Sequence, residues 1–276
     1  MIKRILLPLD FSQYTDAALQ YACYIAKRQD ATVTGMVVLQ IPGIAKIVGP
    51  ITSERTNWSE RLDQRVTEKV NERITTLLDK FKQTCQKEGV KHVEAEFQGT
   101  CPEQIMFQSM FYDMVITGFQ TSYYFDESKH IEVPLEKLLS RSITPFLVVP
   151  QNFAPGKKVL LAFDGSLPAA RSMQRFSHLA NAKDSEVTIV ISHHDQGTAF
   201  YYLDKAEEYL KAHGLLNIKK EWTTKNIISA IKEQYLDQVD MFITGMHSKD
   251  TLKSFFLGSL TRFLLGEAKK PLFLAQ

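Results

Sequence analysis

The stretch KRILLPLDFS at residues 3–12 returns as KKVLLAFDGS at residues 157–166, and this repetition decides the fold. Two further pairs of similar segments follow in the same order, DMVITG at 113–118 with DMFITG at 240–245, and TPFLVV at 144–149 with KPLFLA at 270–275. Chance similarity is a poor explanation, because three separate matches that keep one order support each other. The sequence therefore predicts one fold written twice.

The two copies divide the chain into two predicted domains, residues 1–150 and 156–276. The chain of 276 residues is about twice the usual length of one compact domain. The segment between the copies, residues 150–156, begins with proline and ends with glycine, which is typical of a linker. The second copy is the shorter, because it lacks an excursion that the first copy carries at about residues 42–67.

Each copy alternates short apolar runs with amphipathic stretches, which predicts an α/β fold. The apolar runs are typical of strands buried on both faces, and the stretches between them of crossover helices. The predicted strands are 5–9, 32–39, 92–97, 114–117, 146–149, 159–163, 187–192, 218–222, 241–244 and 272–275. The predicted helices are 12–27, 60–88, 102–110, one after strand 159–163 that ends at about 180, 200–213, 227–235 and 260–265. The fold class is thus two tandem, doubly wound, parallel five-stranded sheets.

Ligands of such sheets bind beyond the carboxyl ends of the strands. The residues just after these ends are Asp10 and Gly118 in the first copy, and Asp164, Ser192 and Gly245 in the second. These positions are therefore candidates for a binding site, the first-copy pair with weaker support.

The segment TGMHSKDTLKSFFLGSL at residues 244–260 has the composition of a phosphate-binding loop. A glycine closes a predicted strand, a polar and basic loop follows, and Gly258-Ser259 opens a predicted helix, with Ser259 at its N-cap or first position. Glycines let backbone N–H groups approach a phosphate, and a helix N-terminus adds donors and a favourable dipole. A strand-exit glycine followed by an ordinary capped helix is the alternative interpretation of the spacing.

At these residues the chain resembles the universal stress protein family in its tandem form, whose fold is Rossmann-like, of the adenine-nucleotide alpha-hydrolase type. The nucleotide-binding branch carries Gly-x2-Gly-x9-Gly-(Ser/Thr), which Gly245, Ser248, Gly258 and Ser259 match except that Ser248 replaces a glycine. The resemblance implies that Asp164 contacts the ribose, that the backbone near Ser192 meets the adenine, and that the glycine loop holds the phosphates. Further candidates are Leu260 and, more weakly, His247 and Lys249.

The first copy departs much further from that pattern. Asp10 and Gly118 are kept, but Thr121 stands at the second glycine position and Ile131-Glu132 where Gly-Ser is expected. Carboxylates in this loop would repel a triphosphate, and the aromatic run 123–125 would more naturally fill a groove. The sequence predicts a degenerate site here, with Asp10 in a structural role such as capping its helix.

Three functional hypotheses follow. The leading one is a tandem universal stress protein whose second domain binds ATP or a related adenine nucleotide, with or without Mg²⁺, in a sensing or regulatory role. The alternative is an interaction or apolar-ligand module of the same fold without nucleotide, using segments 123–125 and 42–67. The third is a weak ATPase or phosphotransferase; no motif supplies a dedicated catalytic base or nucleophile, so efficient turnover is not predicted.

Composition and charge narrow the partners. The net charge of +2 argues against a nucleic acid, and no apolar stretch approaches the roughly 18 residues of a membrane span. The three cysteines form no CxxC pair, which is typical of reduced thiols in the cytoplasm; Cys101, before a predicted helix, is a candidate for a lowered thiol pKa. No metal motif is present. The last strands, 146–149 and 272–275, are expected to pair within the chain across a pseudo-two-fold axis, and homo-oligomers of the whole chain remain open.

Overall fold

The structure, a computed structural model, describes residues 2–39, 57–98, 101–121, 135–139, 142–179, 184–246 and 258–275. The strands are β1 Arg4–Pro8, β2 Thr32–Leu39, β3 Lys91–Gln98, β4 Met114–Gly118, β5 Phe146–Val149, β6 Lys158–Ala162, β7 Glu186–Ser192, β8 Asn217–Thr223, β9 Met241–Gly245 and β10 Leu272–Ala275. The helices are α1 Thr15–Gln29, α2 Asn57–Glu88, α3 Cys101–Ser109, α4 Leu135–Leu139, α5 Leu167–Leu179, α6 Gln196–Ala212, α7 Ile227–Ala230 and α8 Ser259–Glu267.

All ten of these strands form one sheet, in the order β3-β2-β1-β4-β5-β10-β9-β6-β7-β8. Neighbouring strands are parallel except at the centre, where β5 and β10 run antiparallel with Phe273 opposite Leu147. The prediction that the two last strands pair within the chain is confirmed. The predicted α/β class is confirmed as well, with the two five-stranded sheets fused edge to edge.

The inner strands are mostly buried on both faces, as their apolar sequences require, whereas the edge strands β3 and β8 are polar in sequence and half-buried or exposed. In β1 the side chain of Leu6 belongs to one buried cluster, whereas those of Ile5 and Leu7 belong to another on the opposite face. This alternation follows from the two-residue period of a strand. Both clusters contain residues from the first and the second half of the chain, so the two halves share a continuous core.

Helix α1 begins later than predicted. The sequence suggested Ser12 as its N-cap, but the helix starts at Thr15, after Tyr14, which makes no side-chain capping bond. The hydroxyl of Ser12 instead donates to Asp10 Oδ1 at 2.7 Å and accepts the backbone N–H of Tyr14 at 3.3 Å. Ser12 therefore stabilises the turn that precedes the helix, and the predicted N-cap is wrong by two residues.

The predicted helix 227–235 is not a uniform α-helix. Helix α7 ends at Ala230 and continues as a π-helical turn over Ile231–Tyr235, in which the N–H of Leu236 bonds the carbonyl of Ile231 at 2.9 Å. Ile231 and Tyr235 are both buried in this turn. The prediction also omitted helix α4, which is only five residues long.

Candidate functional site

The carboxyl ends of β6, β7 and β9 meet at the switch point of the second half. Strand β6 lies between β7 and β9 in the sheet, so the connections leaving β6 and β9 run to opposite sides. Asp164 lies two residues after β6, while Ser192 and Gly245 are the last residues of β7 and β9. The structure thus brings together three predicted residues that are far apart in sequence.

A cavity of ≈ 220 Å³ opens at this point. Its lining includes six predicted residues, which are Asp164, Ser192, Gly245, Gly258, Ser259 and Leu260. Further lining comes from residues that the sequence interpretation missed, which are Ala162, Phe163, Ala169, Val190, Asn226, Ile227, Thr244 and Thr261. Of these, Asn226 carried a usable signal, because an asparagine just before a predicted helix is a typical N-cap. Its side chain accepts the N–H of Ile228 at 2.9 Å.

Asp164 lies exposed at the cavity in a tight turn. Its Oδ1 accepts the backbone N–H of Ser166 at 3.0 Å, and Gly165 between them has a φ of +76°, which glycine adopts without strain. The hydroxyl of Ser166 in turn accepts the N–H of Ala169 at 3.3 Å in the first turn of α5. The turn holds the carboxylate at the rim while leaving it open to solvent.

Gly245 is required by close packing. A Cβ at this position would lie 2.5 Å from the backbone nitrogen of Ala169 and 2.6 Å from the carbonyl carbon of Pro168. The start of α5 therefore presses on the end of β9. The carbonyl of Gly245 accepts the Thr261 hydroxyl at 3.2 Å, which also ties α8 to this strand.

Helix α8 presents its N-terminus to the cavity. Gly258 is its N-cap, with no side-chain capping bond, and Ser259 is its first residue. The first backbone N–H groups of a helix lack partners within it and carry its positive dipole end, so they favour an anion. Gly258, Ser259 and Leu260 all line the cavity.

The first half arranges its counterparts differently. Asp10 is buried, and its Oδ1 accepts the N–H and the hydroxyl of Ser12 together with the hydroxyl of Thr15. A Cβ at Gly118 would lie 2.2 Å from the Cβ of Tyr14, so this glycine serves packing too. By repeat position, the buried Val38 replaces Ser192.

The remaining predicted site residues, His247, Ser248 and Lys249, lie outside the described residues. Residues 122–134 of the first-half loop lie outside them as well, whereas Thr121 is described. Thr121 is buried, and its hydroxyl has no hydrogen-bond partner among the described residues.

The thiol of Cys101 is not an exposed, acidic one. The side chain is fully buried, and burial, with a smaller contribution from the charge of Asp10, raises its pKa. The suggestion of a lowered pKa at this helix start is therefore wrong, because desolvation of the thiolate outweighs the helix dipole.

Within the part of the chain that the structure describes, no group of three or more His, Cys, Asp or Glu side chains is arranged to hold a metal ion. The helices described there include none long and apolar enough to cross a membrane.

The comparisons with known proteins find similarity to universal stress proteins. Residues 1–106 match the model of the universal stress protein family. A universal stress protein of Synechocystis sp. is 24% identical over 293 residues, which cover 98% of both chains. Among solved structures, a universal stress protein from Archaeoglobus fulgidus superposes with a TM-score of 0.71 at 19% identity, covering 99% of this chain and 98% of the other. A Pseudomonas aeruginosa protein of unknown function gives 0.62 at 17% identity over 99% and 92%.

The family model matches only part of the first half, whereas the Synechocystis relative and the two solved structures cover both halves. The likeness to the solved structures concerns the fold, while the family model and the Synechocystis relative show similarity in sequence to universal stress proteins. The resemblance that the repeated motifs predict is confirmed.

Proposed function

We propose, from the premise that this chain is a two-domain relative of the universal stress proteins, that its second domain binds ATP or a related adenine nucleotide in a sensing or regulatory role. The domains of this proposal are residues 1–150 and 156–276, and its setting is the cytoplasm. The observation that carries it is the cavity at the carboxyl ends of β6, β7 and β9, where six motif residues converge.

The cavity offers a different surface to each part of a nucleotide. Apolar side chains, among them Val190 and Ile227, line one part and suit a base, while the exposed carboxylate of Asp164 suits ribose hydroxyls. The N-terminus of α8 with Ser259 suits a phosphate. The three surfaces follow the order of base, sugar and phosphate in the ligand.

The volume of the cavity agrees with a site that the described residues form only in part. Small-molecule pockets usually measure roughly 300–1,000 Å³, and the described residues enclose ≈ 220 Å³. The segment 247–257, which lies between β9 and α8 in sequence, contains His247, Ser248 and Lys249. We assign these three residues to the phosphate side of the proposed site, with or without Mg²⁺.

The lining also favours binding over turnover. Among the described residues that line the cavity, Asp164 is the only ionisable side chain. A lone exposed carboxylate that already accepts a backbone N–H is a weak start for a general base, because no second ionisable group among the described lining residues stands beside it to complete the chemistry. A steady-state ATPase assay is expected to show at most slow hydrolysis, and rapid hydrolysis that Asp164→Ala abolishes would favour the enzymatic hypothesis instead.

The decisive experiment is calorimetry of ATP binding, with and without Mg²⁺, to the wild type and to Gly258→Asp. The new carboxylate would stand at the N-cap of α8, where it would occupy the cavity and repel the phosphates, and at least a tenfold loss of affinity is expected. Gly266→Asp is the matched control, because Gly266 is exposed on the same helix and a Cβ there meets nothing within 4 Å. Absence of ATP binding by the wild type, or equal losses in both variants, would contradict the proposal.

A second observation separates this proposal from the nucleotide-free module. Protein purified without added nucleotide is heated, and the supernatant is examined by absorbance at 260 nm and by mass spectrometry. Release of an adenine compound supports nucleotide binding. An empty supernatant together with failed calorimetry leaves the interaction module as the better hypothesis.

A further inference from the structure

A second cavity lies at the opposite ends of the same strands, between the two halves of the chain. It measures ≈ 150 Å³ and is reached from the amino ends of β6 and β9, where Val159 and Met241 line it. The other walls are α1, α5, β10 and the linker between the halves. About five residues of strand, or roughly 15 Å, separate it from the cavity at Asp164, and the two cavities share no lining residue.

The linker closes one side of this cavity. The ring of Phe153 meets that of Tyr21 edge-on at 4.8 Å between centroids and that of Tyr24 at 5.8 Å. The backbone N–H of Ala154 donates to the Tyr21 hydroxyl at 3.1 Å. Gly156 packs so closely on Asp240 that a Cβ would lie 1.9 Å from the carboxyl carbon. Three consecutive parts of the linker are therefore fixed against the walls.

The pseudo-two-fold axis generates a counterpart groove, and its chemistry is different. There Arg175 and His178 of α5 stand where α1 places Tyr21 and Tyr24, and the groove of ≈ 400 Å³ is lined mainly by polar surface. No linker residue is among those that line it. The cavity beside the linker is therefore smaller and more aromatic than its counterpart. The linker closes one side of it, and it has tyrosines where the counterpart groove has Arg175 and His178.

The walls of the narrow cavity are suited to a ring. Tyr21, Tyr24, Phe176 and Phe273 contribute aromatic surface, and Ile25 and Leu179 contribute aliphatic surface. Aromatic rings pack well edge-on or offset against one another, and such pairs contribute beyond the area that they bury. An engineered protein cavity of about 150 Å³ with an aliphatic and aromatic lining binds benzene.

The charged side chains that line the cavity favour neither a positively nor a negatively charged ligand. Arg28 lies with its guanidinium carbon 3.7 Å from the Tyr24 ring centroid, and Lys157 is exposed. Against these stand Asp184, which is exposed, and Asp240, whose Oδ2 already accepts the N–H groups of Lys157 and Lys158 at 2.9 Å. Two cations and two anions therefore balance.

We propose that this junction cavity is a binding site for a small uncharged aromatic molecule of about one ring, separate from the nucleotide site. The proposal does not depend on nucleotide binding. A ligand held between α1, the linker and the amino ends of β6 and β9 would bridge the two halves, so its binding is expected to stabilise the full chain.

The test uses 4-fluorotoluene as the probe, observed by ¹⁹F NMR with the full chain. We expect saturable binding in the micromolar to millimolar range, and benzoate and benzylammonium at least tenfold weaker. Tyr24→Ala removes one wall and should weaken binding at least tenfold, and Ile25→Trp should fill the cavity and abolish it. His178→Ala is the matched control at the corresponding position of the open groove, and it should leave binding unchanged.

Circular dichroism and thermal unfolding establish that each variant is folded, so that loss of binding is read only from folded protein. Failure of the folded wild type to bind 4-fluorotoluene would overturn the proposal, as would equal effects of Tyr24→Ala and His178→Ala. Tighter binding of either charged analogue would overturn the assignment of an uncharged ligand. Displacement of the probe by ATP would place the probe in the cavity at Asp164 and refute a separate site.

Discussion

At the scale of single residues, the aspartates of the repeated DMVITG and DMFITG segments have a structural role that is the same in both halves. Oδ2 of Asp113 accepts the backbone N–H groups of Lys3 at 2.7 Å and Arg4 at 2.9 Å, and Asp240 does the same for Lys157 and Lys158. Each carboxylate ties the start of one strand to the start of its neighbour. The repetition of these residues therefore follows from strand alignment.

Replacement of Asp113 by alanine tests this role. Two charge-assisted bonds to backbone donors are lost, but the site is exposed and water replaces part of them, so the free energy of unfolding should fall by about 1 kcal/mol, as for loss of a helix N-cap. Urea unfolding measures the change. Asp113→Asn keeps one oxygen acceptor and should lose less; equal losses in both variants would argue that the charge alone matters.

The three cysteines are expected to be chemically inert in the folded protein. All three are buried, and the sulfurs of Cys23 and Cys85 lie 3.9 Å apart between α1 and α2. The hydrogen bond to Cys23 and burial raise the pKa of Cys85, and burial raises that of Cys101, so the reactive thiolate is scarce in both. The same hydrogen bond lowers the pKa of Cys23, so slow reaction of that thiol is expected from its burial alone. Labelling with Ellman's reagent at pH 8 should be slow in buffer and fast in denaturing urea. Complete labelling within seconds in buffer would show that these helices open readily.

At the scale of elements, helix α2 reaches the sheet through a glycine in β2. A Cβ at Gly35 would lie 2.8 Å from the ring of Phe81, which is fully buried. The ring therefore occupies the space that a side chain on the strand would need. This contact sets how closely α2 approaches the sheet, and it also explains a glycine in the interior of a strand.

Gly35→Ala should accordingly destabilise the protein, although alanine suits a strand at least as well as glycine. Overpacking of a filled core usually costs about 1–3 kcal/mol. Gly197→Ala is a matched control in α6, where a Cβ meets only Asp195 Oδ2 at an ordinary 3.5 Å; it should be neutral or stabilise by up to about 1 kcal/mol. Thermal unfolding of the two variants compares them, and a stable Gly35→Ala protein would mean that Phe81 moves freely.

The elements also show what sequence patterns predict well. Strands β2, β5 and β10 match their predicted limits because buried, β-branched and aromatic runs have a clear period and abrupt ends. The predicted start of α1 is too early because the Ser12 hydroxyl donates to Asp10 in the turn before the helix. Side-chain hydrogen bonding in such a turn competes with helix capping. The π-helical turn at Ile231–Tyr235 has no local signal, since burial in the tertiary structure selects it.

The candidate site was predictable to a similar degree. Spacing after strands and the glycine motif identified Asp164, Gly245 and Gly258, which the structure places around one cavity. Spacing alone did not reveal that Gly245 is also needed for packing against Pro168 and Ala169, nor that Thr261 binds its carbonyl. Such contacts join segments that are distant in sequence, and a one-dimensional pattern contains no information on their approach.

At the scale of the whole molecule, the two halves have the same strand order and different openings. In the first half the aspartate after the first strand is buried and fully engaged, and apolar side chains occupy the end of β2. In the second half the corresponding aspartate is exposed, and Ser192 ends β7 beside a cavity. The junction repeats this asymmetry, since its two related grooves differ in linker contact and in aromatic content. The two halves thus share the same arrangement of strands and differ in the side chains that line their cavities.

Because β5 pairs with β10, we expect that neither half is stable as a monomer when it is expressed alone. Leu272, Phe273 and Leu274 pair with Val148, Leu147 and Phe146 in an antiparallel register and are buried. Removal of the first half would expose this apolar strand as an unpaired edge, which invites pairing with another copy. Because the register is antiparallel and centred on Phe273, β10 can form the same pairing with β10 of a second molecule, with Leu272 opposite Leu274.

Residues 156–276 expressed alone should therefore form a dimer, which light scattering coupled to size-exclusion chromatography would detect. The substitution Phe273→Lys should shift this dimer to monomer, because it places two like charges next to each other at the dimer axis. A stable monomer of unaltered 156–276 would show that the edge does not require its partner.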